Sequence, residues 1–564
     1  MARIYSLKIN NYRGIQDFYQ EFGDTNCVCI VGRGDSGKTT ILEAIKAVLS
    51  PAWNFNFTDI DFYNTDVENP IIIEAVVFNL PNELRKINKY GTHCQVIKGG
   101  KLINNLVSDD QDSSPEDLAL KVRLYVDKTL EPKWSIVSDR PNLEEMPISA
   151  KDRSQFNMLM VSDTSDAHFS FRKGSPLFSL VYSKLAGEYD DFNAVTTSIL
   201  RSAYNELQKT PLSAFNDCLD GLLDNINEVE LDLKGLQAKF EYNPYAYNES
   251  GITLHNDSIP FRLYGKGAKR LLSVTLQNSN EESEGILLVD EVEQGLEPDR
   301  AKNLTQILIG HSGLGQVFMT THSRDVIVEP KPNQIFLMRS GAKTLQSFPK
   351  DIHKIIELQP EGIFAKRIIC CEGKTEVGII RAFDKQNNHK FASKGIVPID
   401  CGGNDLFYLR ALQFNSAGYE TLVFCDNDNE NRKILERKSE AENADIPISI
   451  CERGNSIEQQ IFNDLPWEGV LQLIDYLEDN DCNVNWPING YENFDKIRKA
   501  SIDSQQYIRR ILGDQAKSKL AWFKEIEGGE CLGKVWFDSL EEMDRDKSLY
   551  YQYREIMDWV NNGY

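Results

Sequence analysis

The sequence predicts an α/β protein in which two α/β domains follow one another and a mostly helical segment comes last. Short apolar strands alternate with segments of helical length in both halves of the 564 residues, a pattern typical of sheets covered by helices. Several of these strands run directly into glycines or acidic residues, which parallel sheets carry at their binding edge. The length also exceeds what one hydrophobic core usually serves, so more than one domain is expected.

Five strands are predicted in the N-terminal domain. Residues 4–10 alternate between apolar and polar side chains, and the apolar run Cys27–Val31 predicts a fully buried strand. Two strands are therefore expected before the first glycine cluster. Ile71–Phe78 predicts a strand between two prolines, and the short apolar runs Ile286–Val289 and 316–319 are typical of buried parallel strands.

A helical insertion is predicted between about residues 180 and 240. Leu, Ile and Phe recur there at spacings of three and four residues with few turn signals. A dimerisation arm is one role for such an insertion. Beyond residue 361 the alternation of strands and helices resumes. The strands predicted there are 367–371, 396–399, 421–425 and 446–450.

The composition limits the classes of protein to consider. A formal net charge of −23 argues against a surface coated with basic patches for nucleic acid, although a local basic groove remains compatible with it. The eleven cysteines include no C-x-x-C pair, so buried thiols in a reducing cytosol are expected. There is no signal-peptide pattern and no apolar run of 18 residues, which predicts a soluble cytoplasmic protein without a membrane partner.

A glycine-rich motif follows the strand that ends at Val31. The stretch from Gly32 to Thr39 fits G-x-x-x-x-G-K-[ST], in which backbone N–H groups surround a phosphate at the start of a helix. In such a loop Lys38 reaches the β- and γ-phosphate oxygens, and the hydroxyl of Thr39 binds magnesium. The context of strand and helix favours an ATP site over a plain glycine-rich turn. The candidate ATP-binding residues are Gly32, Gly34, Ser36, Gly37, Lys38, Thr39 and Thr40.

Two acids follow the apolar strand Ile286–Val289. Asp290 is placed to hold magnesium at the ATP site, and Glu291 to polarise the attacking water. His322 follows the next buried strand, where a histidine contacts the γ-phosphate. A lone histidine or a strand ending in acids is often structural, but the glycine-rich motif in the same chain favours the functional interpretation.

These elements resemble the ABC-type ATPase heads of the SMC and OLD (overcoming lysogenization defect) families. The stretch INNYRGI at 9–15 resembles their N-terminal strand turn, and EQGLEP at 293–298 resembles their D-loop. LYGKGAKRL at 263–271 resembles the signature that reaches the ATP of a partner subunit. The resemblance implies that Gly265 and Gly267 contact ATP and that the protein is a homodimer or a higher homo-oligomer.

The signature differs from the usual pattern. Tyr264 precedes the two glycines where ABC signatures usually carry a serine. This difference favours ATP as a gate for the activity rather than as its power source. A clear glutamine of the Q-loop is also missing, and Asp59 and Asp61 are the substitutes considered.

Acidic residues also follow the strands of the second domain. They are Glu372 and Glu376, then Asp426 and Asp428, then Glu458. The carboxyl ends of parallel strands meet at one edge of a sheet, so these carboxylates are expected to lie close together. Such crowding is costly unless cations neutralise it, and carboxylate oxygens prefer Mg²⁺ or Mn²⁺. A calcium loop at DNDNENR does not fit, because Asn431 and Arg437 occupy the glycine and glutamate positions of an EF-hand.

The order of these motifs, E-G-x-x-E, then G-G, then D-x-D, resembles the Toprim domain of topoisomerases, primases and OLD nucleases. The resemblance implies catalytic roles for Glu372, Asp426 and Asp428. The implied ligands of two metal ions are the same three residues with Glu376 and, as a weaker candidate, Glu458. The implied chemistry is two-metal phosphodiester hydrolysis.

A lysine beyond the Toprim core assists cleavage in the OLD family. The stretch KSKLAWFKEI at 517–526 offers Lys517, Lys519 and Lys524, of which Lys519 is taken as catalytic. A lysine run is more often a solvated face. Four tryptophans of this region are candidates for stacking on unpaired bases or, in the more ordinary interpretation, for packing. They are Trp486, Trp522, Trp536 and Trp559.

Together the resemblances imply an OLD-type chain: an ABC-type ATPase head with a helical insertion, a Rossmann-like Toprim domain and a mostly helical C-terminal segment. The expected boundaries are 1–175 and 243–350 for the ATPase head, 176–242 for the insertion, 362–480 for Toprim and 481–564 for an extension that completes the nuclease domain.

The function implied is an ATP-regulated, divalent-metal-dependent DNA endonuclease. The implied setting is an anti-phage defence system, of the Gabija type with a helicase-like partner or of the retron type with a reverse transcriptase and its RNA–DNA. Two alternatives remain open at this point. One is a topoisomerase or primase-like enzyme, and the other is a non-cleaving, SMC-like ATPase clamp on DNA.

Overall fold

The computed structural model describes most of the chain, with gaps. The described residues are 2–52, 55–103, 117–140, 143–161, 168–170, 175–184, 215–217, 219, 236–240, 252–278, 285–310, 315–348, 359–403, 406–429, 431–518 and 520–562. They form two units, Met1–Phe348 and Pro349–Tyr564. None of the helices in these ranges is both long enough and apolar enough to cross a membrane.

The first unit combines antiparallel and parallel sheets with helices. Its strands are β1 Arg3–Tyr12, β2 Ile15–Glu21, β3 Cys27–Val31, β4 Ile71–Phe78, β5 Gln95–Lys98, β6 Lys101–Ile103, β7 Leu118–Val126, β8 Lys133–Val137, β9 Met146–Pro147, β10 Met158–Val161, β11 Leu236–Phe240, β12 Ile252–Asn256, β13 Ile259–Pro260, β14 Ile286–Val289, β15 Gln316–Thr321, β16 Ile335–Leu337 and β17 Gln346–Ser347. Its helices are α1 Lys38–Leu49, α2 Ala150–Arg153, α3 Pro176–Lys184, α4 Lys266–Asn278, α5 Pro298–Gly310 and α6 Arg324–Ile327.

An antiparallel sheet contains the N-terminal strands. Its main path is β2-β1-β4-β7-β5-β6, and β8 and β9 are added beside β7. The sequence predicts two strands before the first glycine cluster, but the structure has three. The alternating segment does not end near residue 10, because the chain turns at Arg13, with φ 49°, and returns as β2 antiparallel to β1.

A second sheet positions the ATP-site motifs. Its order is β10-β14-β15-β3-β16-β17, and β15 pairs in parallel with both β14 and β3. The residues that follow these three strands therefore meet at one edge of the sheet. Cys27–Val31 is buried throughout, as its continuous apolar run predicts.

Two described elements fall within 176–242, where a helical insertion is expected. They are helix α3 and strand β11, and β11 pairs antiparallel with β12. Apart from residues 215–217 and 219, the remainder of this range lies outside the described residues.

The second unit is a parallel sheet surrounded by helices. Its strands are β18 Arg367–Cys371, β19 Ile396–Asp400, β20 Glu420–Cys425 and β21 Ile448–Ile450, in the order β19-β18-β20-β21. Its helices are α7 Lys374–Gln386, α8 Lys390–Ser393, α9 Phe407–Ser416, α10 Arg432–Asn443, α11 Ile457–Asp464, α12 Trp467–Asp479, α13 Phe494–Ile497, α14 Ile502–Lys517, α15 Ile526–Asp538 and α16 Ser548–Asn562. The four strands predicted in this domain are confirmed, with ends that differ by at most two residues.

Helix α15 packs against α7 through glycines. A Cβ atom on Gly529 would lie 2.2 Å from the carbonyl oxygen of Thr375, and one on Gly378 would lie 2.3 Å from the carbonyl oxygen of Ile526. The two backbones are therefore as close as glycine allows. Thr375 also donates its hydroxyl to the carbonyl oxygen of Phe523 at 2.9 Å. These contacts hold the C-terminal segment beside the start of α7.

Candidate functional site

The glycine-rich loop of the first unit folds around its own lysine. Gly32 has φ 148°, and a Cβ atom there would lie 2.2 Å from the carbonyl oxygen of Met338, so only glycine fits. Lys38 is 5% exposed. Its Nζ donates to the carbonyl oxygens of Gly32 at 3.0 Å and Arg33 at 2.7 Å. Burial lowers the pKa of Lys38 to about 8, although nearby acids, Asp290 first, oppose the shift.

Asp290 lies next to the start of α1, as the two motifs predict. Its Oδ1 accepts hydrogen bonds from the hydroxyls of Thr39, at 3.0 Å, and Thr320, at 2.7 Å. The hydroxyl of Thr320 in turn accepts from the backbone N–H of Glu291 at 2.8 Å. The hydroxyl and the acid that the sequence predicts as magnesium ligands are thus brought together. Thr320 is a positioning residue that the sequence analysis did not single out, although it lies two residues before His322.

His322 lies beyond the end of β15, close to the same acids. Its backbone N–H donates to Oε1 of Glu293 at 2.6 Å, and Thr321 donates its hydroxyl to Oε2 of Glu293 at 2.8 Å. Burial, followed by the positive charge of Lys38, lowers the pKa of the imidazole. The neutral form therefore predominates at pH 7. Glu293 was not identified as a site residue from the sequence.

The signature-like stretch contacts the D-loop-like stretch. A Cβ atom on Gly267 would lie 2.2 Å from the carbonyl oxygen of Gly295, whereas one on Gly265 would meet no atom within 4 Å. Arg270 of α4 donates to Oε1 of Gln294 at 2.9 Å and to the carbonyl oxygen of Glu291. The acids after β14 are therefore tied to α4.

The two aspartates considered in place of a Q-loop glutamine differ in their surroundings. Asp61 accepts from Nε of Arg13 at 2.9 Å, and its backbone carbonyl accepts from the N–H of the same arginine at 2.7 Å. Asp61 therefore fixes the turn after β1. Asp59 is exposed.

Replacing Lys38 with Ala is expected to weaken ATP binding about 10- to 100-fold, the value of one hydrogen bond to a charged group. The reason is that Lys38 is the cation at the loop that surrounds the phosphates. Titration with a fluorescent ATP analogue measures the affinity. Lys46→Ala is the matched control, because Lys46 lies on the same helix and its Nζ pairs with Glu43 at 3.2 Å. Equal affinities for Lys38→Ala and wild type would contradict this role.

In the second unit, acids from separate strands converge. Glu372 follows β18 and Asp426 follows β20, and these strands pair in parallel with Cys371 opposite Phe424. As a result, Oε2 of Glu372 accepts from the backbone N–H of Asp426 at 3.0 Å. Oδ1 of Asp426 accepts from the backbone N–H of Ile457, the first residue of α11, at 2.6 Å. The carboxylates are thus held by backbone donors at the carboxyl edge of the sheet.

Glu376 and Glu458 lie behind these two acids. Both are buried, with 4% and 0% of their surfaces exposed. Oε2 of Glu376 accepts from the backbone N–H of Gly373 at 2.9 Å, which caps α7. Oε2 of Glu458 accepts from the hydroxyl of Ser456 at 2.8 Å.

Burial and mutual repulsion raise the pKa values of acids in this cluster. Burial raises the pKa of Glu376 to about 8, and the charges of Glu458 and Glu372 add to the rise. The pKa of Asp426 also lies well above its ordinary value, again because of burial first and then of Glu376 and Glu458. A cation at this edge would favour the ionised carboxylates and so oppose the rise in both pKa values.

Two lysines from the C-terminal segment reach the acids. Nζ of Lys517 lies 2.9 Å from Oδ2 of Asp428, and Nζ of Lys524 lies 2.5 Å from Oε1 of Glu458. Burial by itself would lower the pKa of Lys524, but the charges of Glu458 and its neighbours outweigh it and the pKa is raised. Lys519, the lysine chosen from the sequence, lies outside the described residues.

The donor set suits a hard divalent cation. Carboxylate oxygens from three strand ends are the ligands that Mg²⁺ and Mn²⁺ prefer. In the ranges that the structure describes, no three His, Cys, Asp or Glu side chains are arranged to hold an ion. Lysines instead pair with Asp428 and Glu458, so binding of an ion through the same oxygen atoms requires these lysines to move. The residue types fit the ion.

The tryptophans of the C-terminal segment serve mainly for packing. Trp522 and Trp536 are 7% and 0% exposed, so the interpretation that they stack on bases is wrong for these two residues. The guanidinium of Arg367 lies 3.7 Å from the ring centroid of Trp559. This contact joins α16 to the first strand of the sheet.

In the absence of divalent ions, the protein is expected to lose stability as the pH rises from about 5 to about 8. The pKa of Glu376 is raised from 4.5 to about 8, so the folded state keeps a proton that the unfolded chain releases. The stabilisation is complete below pH 4.5 and is lost as the pH rises through about 8. One proton corresponds to a change in Tm of about 3 °C per pH unit for a unit of this size.

Thermal unfolding in EDTA across this pH range measures the effect. Glu376→Gln isolates it, since the variant carries no titrating carboxyl at this position. Its Tm should fall less steeply with pH than that of the wild type. Parallel pH profiles for the two proteins would contradict the assignment.

The fold and the candidate sites together define the class of protein. A phosphate-binding loop on one parallel sheet and a carboxylate cluster on another are the parts of an ATP-dependent, nuclease-like enzyme. The family model described as AAA ATPase domain matches residues 3–327. The model described as overcoming lysogenization defect protein-like, TOPRIM domain, matches residues 363–428.

The chain therefore belongs to the AAA ATPase domain family, and it is an ATPase–Toprim fusion of the OLD kind. The predicted fold class, a mixed α/β ATPase head followed by a Toprim domain and a helical C-terminal segment, is confirmed. No curated protein matches the chain.

Several solved structures are similar to parts of the chain. An Smc head domain from Pyrococcus furiosus bound to the C-terminal domain of ScpA is 14% identical over 64% of this chain and 99% of its own, with a TM-score of 0.38. The SMC head domain from Thermotoga maritima is 15% identical over 62% and 99%, with a TM-score of 0.30. The recombination mediator protein RecF is 15% identical over 62% and 98%, with a TM-score of 0.34.

Proposed function

We propose that the protein is an ATP-regulated, divalent-metal-dependent DNA endonuclease. One observation carries this proposal: the carboxylate of Glu372 accepts from the backbone of Asp426, two residues before Asp428, although the strands come from distant parts of the sequence. Backbone donors hold these acids so close that their charges repel one another. Such a cluster favours the binding of divalent cations, which catalyse attack on a phosphate. The OLD-like Toprim match over the same residues supports the proposal.

In this proposal Glu372, Asp426 and Asp428 are the catalytic ligands, and Glu376 and Glu458 complete the set. Bound Mg²⁺ or Mn²⁺ supplies Lewis acidity toward the phosphate and lowers the pKa of a bound water. The backbone N–H groups of Asp426 and Ile457 keep the carboxylate oxygens fixed. Because the pKa of Glu376 is raised to about 8, this carboxyl would have to lose its proton in order to serve as a ligand.

The lysines supply positive charge for the phosphate. Lys517 and Lys524 already contact acids of the cluster, and Lys519 lies between them in sequence. We propose that one of these lysines would stabilise the developing charge on the scissile phosphate. Lys519 remains the choice made from the sequence, and Lys517 and Lys524 are its alternatives. Single Ala variants of the three, assayed in parallel, identify the lysine by the largest loss of rate.

At the ATP site, Gly32, Gly34, Ser36, Gly37, Lys38, Thr39 and Thr40 are proposed to hold the nucleotide. Asp290 and Thr39 hold its magnesium, Glu291 positions the attacking water and His322 contacts the γ-phosphate. Gly265 and Gly267 act on the ATP of a second copy, which makes the protein at least a homodimer. Light scattering with ATP tests this, and a strictly monomeric protein would contradict it.

The proposed setting is an anti-phage defence system in which DNA is the substrate. A helicase-like protein, or a reverse transcriptase with its RNA–DNA, is the proposed partner. Both follow from the family resemblance and are tested by co-purification with the products of neighbouring genes.

Incubation with supercoiled plasmid tests the nuclease function. Relaxed or linear products are expected in Mg²⁺ or Mn²⁺ and not in EDTA, with a rate that changes when ATP is added. Absence of cutting under every combination of metal and nucleotide would overturn the proposal. A covalent protein–DNA adduct after denaturation would indicate a topoisomerase instead.

A further inference from the structure

A cavity of about 340 Å³ lies beside the carboxylate cluster. One wall consists of the proposed catalytic acids Glu372, Asp426 and Asp428. The other walls come from the start of α9, from one face of α10 and from the end of β21. None of these other elements contributes a residue to the proposed metal site.

Apolar side chains form part of the walls away from the acids. Phe407 and Tyr408 of α9 are 3% and 1% exposed, and Ile434 of α10 is 7% exposed. Leu435, next to Ile434, is 51% exposed although it lines the cavity. An exposed leucine on a helix rich in charged residues offers an apolar surface to a planar group that enters from solvent.

Two cations complete the lining. Lys438 of α10 is one helical turn from Ile434 and three residues from Leu435, so the three share one face of the helix. Arg453, beyond β21, lines the cavity as well. The cavity matches the parts of one nucleotide. Its apolar walls suit a flat base, its cations suit an anionic phosphate, and the adjoining acids lie where that phosphate reaches the cluster.

The volume limits what enters. Pockets for small ligands begin at about 300 Å³, so this cavity accommodates one nucleotide and excludes a base pair. A base that enters must therefore be unpaired, either because the strand is single or because the base has left the duplex.

We propose that this cavity receives the nucleotide next to the scissile phosphate, with its base unpaired against Leu435 and its backbone near Lys438 and Arg453. The proposal rests on the proposed nuclease function and specifies its substrate class, namely DNA that is single-stranded or locally opened at the cut. The cavity thus selects an unpaired strand, and the acids act on the phosphate beside it.

The first experiment measures binding without cutting. Full-length protein in EDTA is titrated with oligonucleotides that carry the fluorescent base 2-aminopurine. In one set of oligonucleotides this base lies in a single strand or opposite a gap, and in the other set it is paired within a full duplex. The emission should change for the unpaired base and not for the paired one. Leu435→Asp and Lys438→Glu should each weaken this response about tenfold.

Lys433→Glu is the matched control. Lys433 is exposed on the same helix and does not line the cavity, and the charge change equals that of Lys438→Glu. Its response should remain within about twofold of wild type, because the side chain of Lys433 is exposed outside the cavity, where solvent and salt screen its charge. An equal loss in the Lys433 and Lys438 variants would indicate general electrostatics and would overturn the proposal.

The second experiment separates this inference from the nuclease function. In Mg²⁺, wild type should cut gapped or single-stranded DNA about tenfold faster than duplex, and Leu435→Asp should reduce that ratio toward one. If wild type and Leu435→Asp both cut gapped and duplex DNA at equal rates, the inference is overturned and the nuclease function is still supported. No cutting of any DNA overturns the nuclease function, and the emission of 2-aminopurine still reports on the cavity.

A free nucleotide offers the same chemistry as a nucleotide of a strand. Titration with deoxyadenosine monophosphate distinguishes the two sources. If the monophosphate reverses the change in emission at micromolar concentration while the oligonucleotide stays bound, the cavity is a site for a free nucleotide and the proposal is wrong. If only unlabelled oligonucleotides reverse it, the proposal is supported.

Discussion

Replacing Asp426 with Ala is expected to reduce cutting of supercoiled plasmid in Mg²⁺ by a factor on the order of 100 or more. The carboxylate of Asp426 lies at the centre of the cluster, between the backbone of Ile457 and the acids Glu372, Glu376 and Glu458. Its removal takes away a proposed ligand. The rate of appearance of relaxed and linear plasmid measures the loss.

The fold should survive this substitution. Burial, and then the like charges around it, raise the pKa of Asp426. Its removal therefore relieves desolvation and repulsion, and the metal-free variant should unfold at the Tm of wild type or above it. Asp479→Ala, an exposed acid in the last turn of α12, should cut at the wild-type rate. Unchanged cutting by Asp426→Ala in a folded protein would remove the basis for the nuclease assignment.

Replacing Gly529 with Leu is expected to destabilise the second unit by about 3 kcal/mol, in the upper range for overpacking, and to abolish cutting. The first added atom would lie 2.2 Å from the carbonyl oxygen of Thr375, so α15 must move away from α7. That movement displaces Phe523, which accepts from the hydroxyl of Thr375, and with it the neighbouring Lys524.

Chemical denaturation followed by tryptophan fluorescence measures the stability, because Trp536 lies on α15. Lys534→Leu places the same side chain at an exposed position of the same helix and should leave stability and cutting nearly unchanged. ATP binding, measured with the fluorescent analogue, should persist in both variants, since Gly529 belongs to the second unit. A Gly529→Leu protein as stable as wild type would show that the close approach of the two helices is not needed.

The sequence predicts the strands well where a single signal dominates. Ile71–Phe78 is apolar apart from Glu74, and Arg367–Cys371 is apolar apart from its first residue, and the predicted bounds of both strands agree with the structure. The strand β2 was missed because only Ile15 and Phe18 of its seven residues are buried, a pattern that departs from strict alternation. Its existence depends on pairing with β1, which a local pattern does not reveal.

Convergence of the acids was predictable because parallel topology brings the carboxyl ends of strands to one edge. The lysine that contacts each acid was not predictable from the sequence. Lys517 ends α14 and reaches Asp428, whereas Lys524 lies just before α15, which packs onto α7 by close glycine contact, and reaches Glu458. Both contacts depend on tertiary packing rather than on a motif. The cavity beside the acids depends in the same way on the space left between α9 and α10.

The packing of α15 on α7 also orders events during protein synthesis. Lys374, at the start of α7, pairs with Glu525, which is translated 151 residues later. While a ribosome is still making the intervening stretch, the acidic strand ends have emerged without the lysines that neutralise them. A growing chain therefore carries an incomplete acidic site, which is completed only after the later helices have docked.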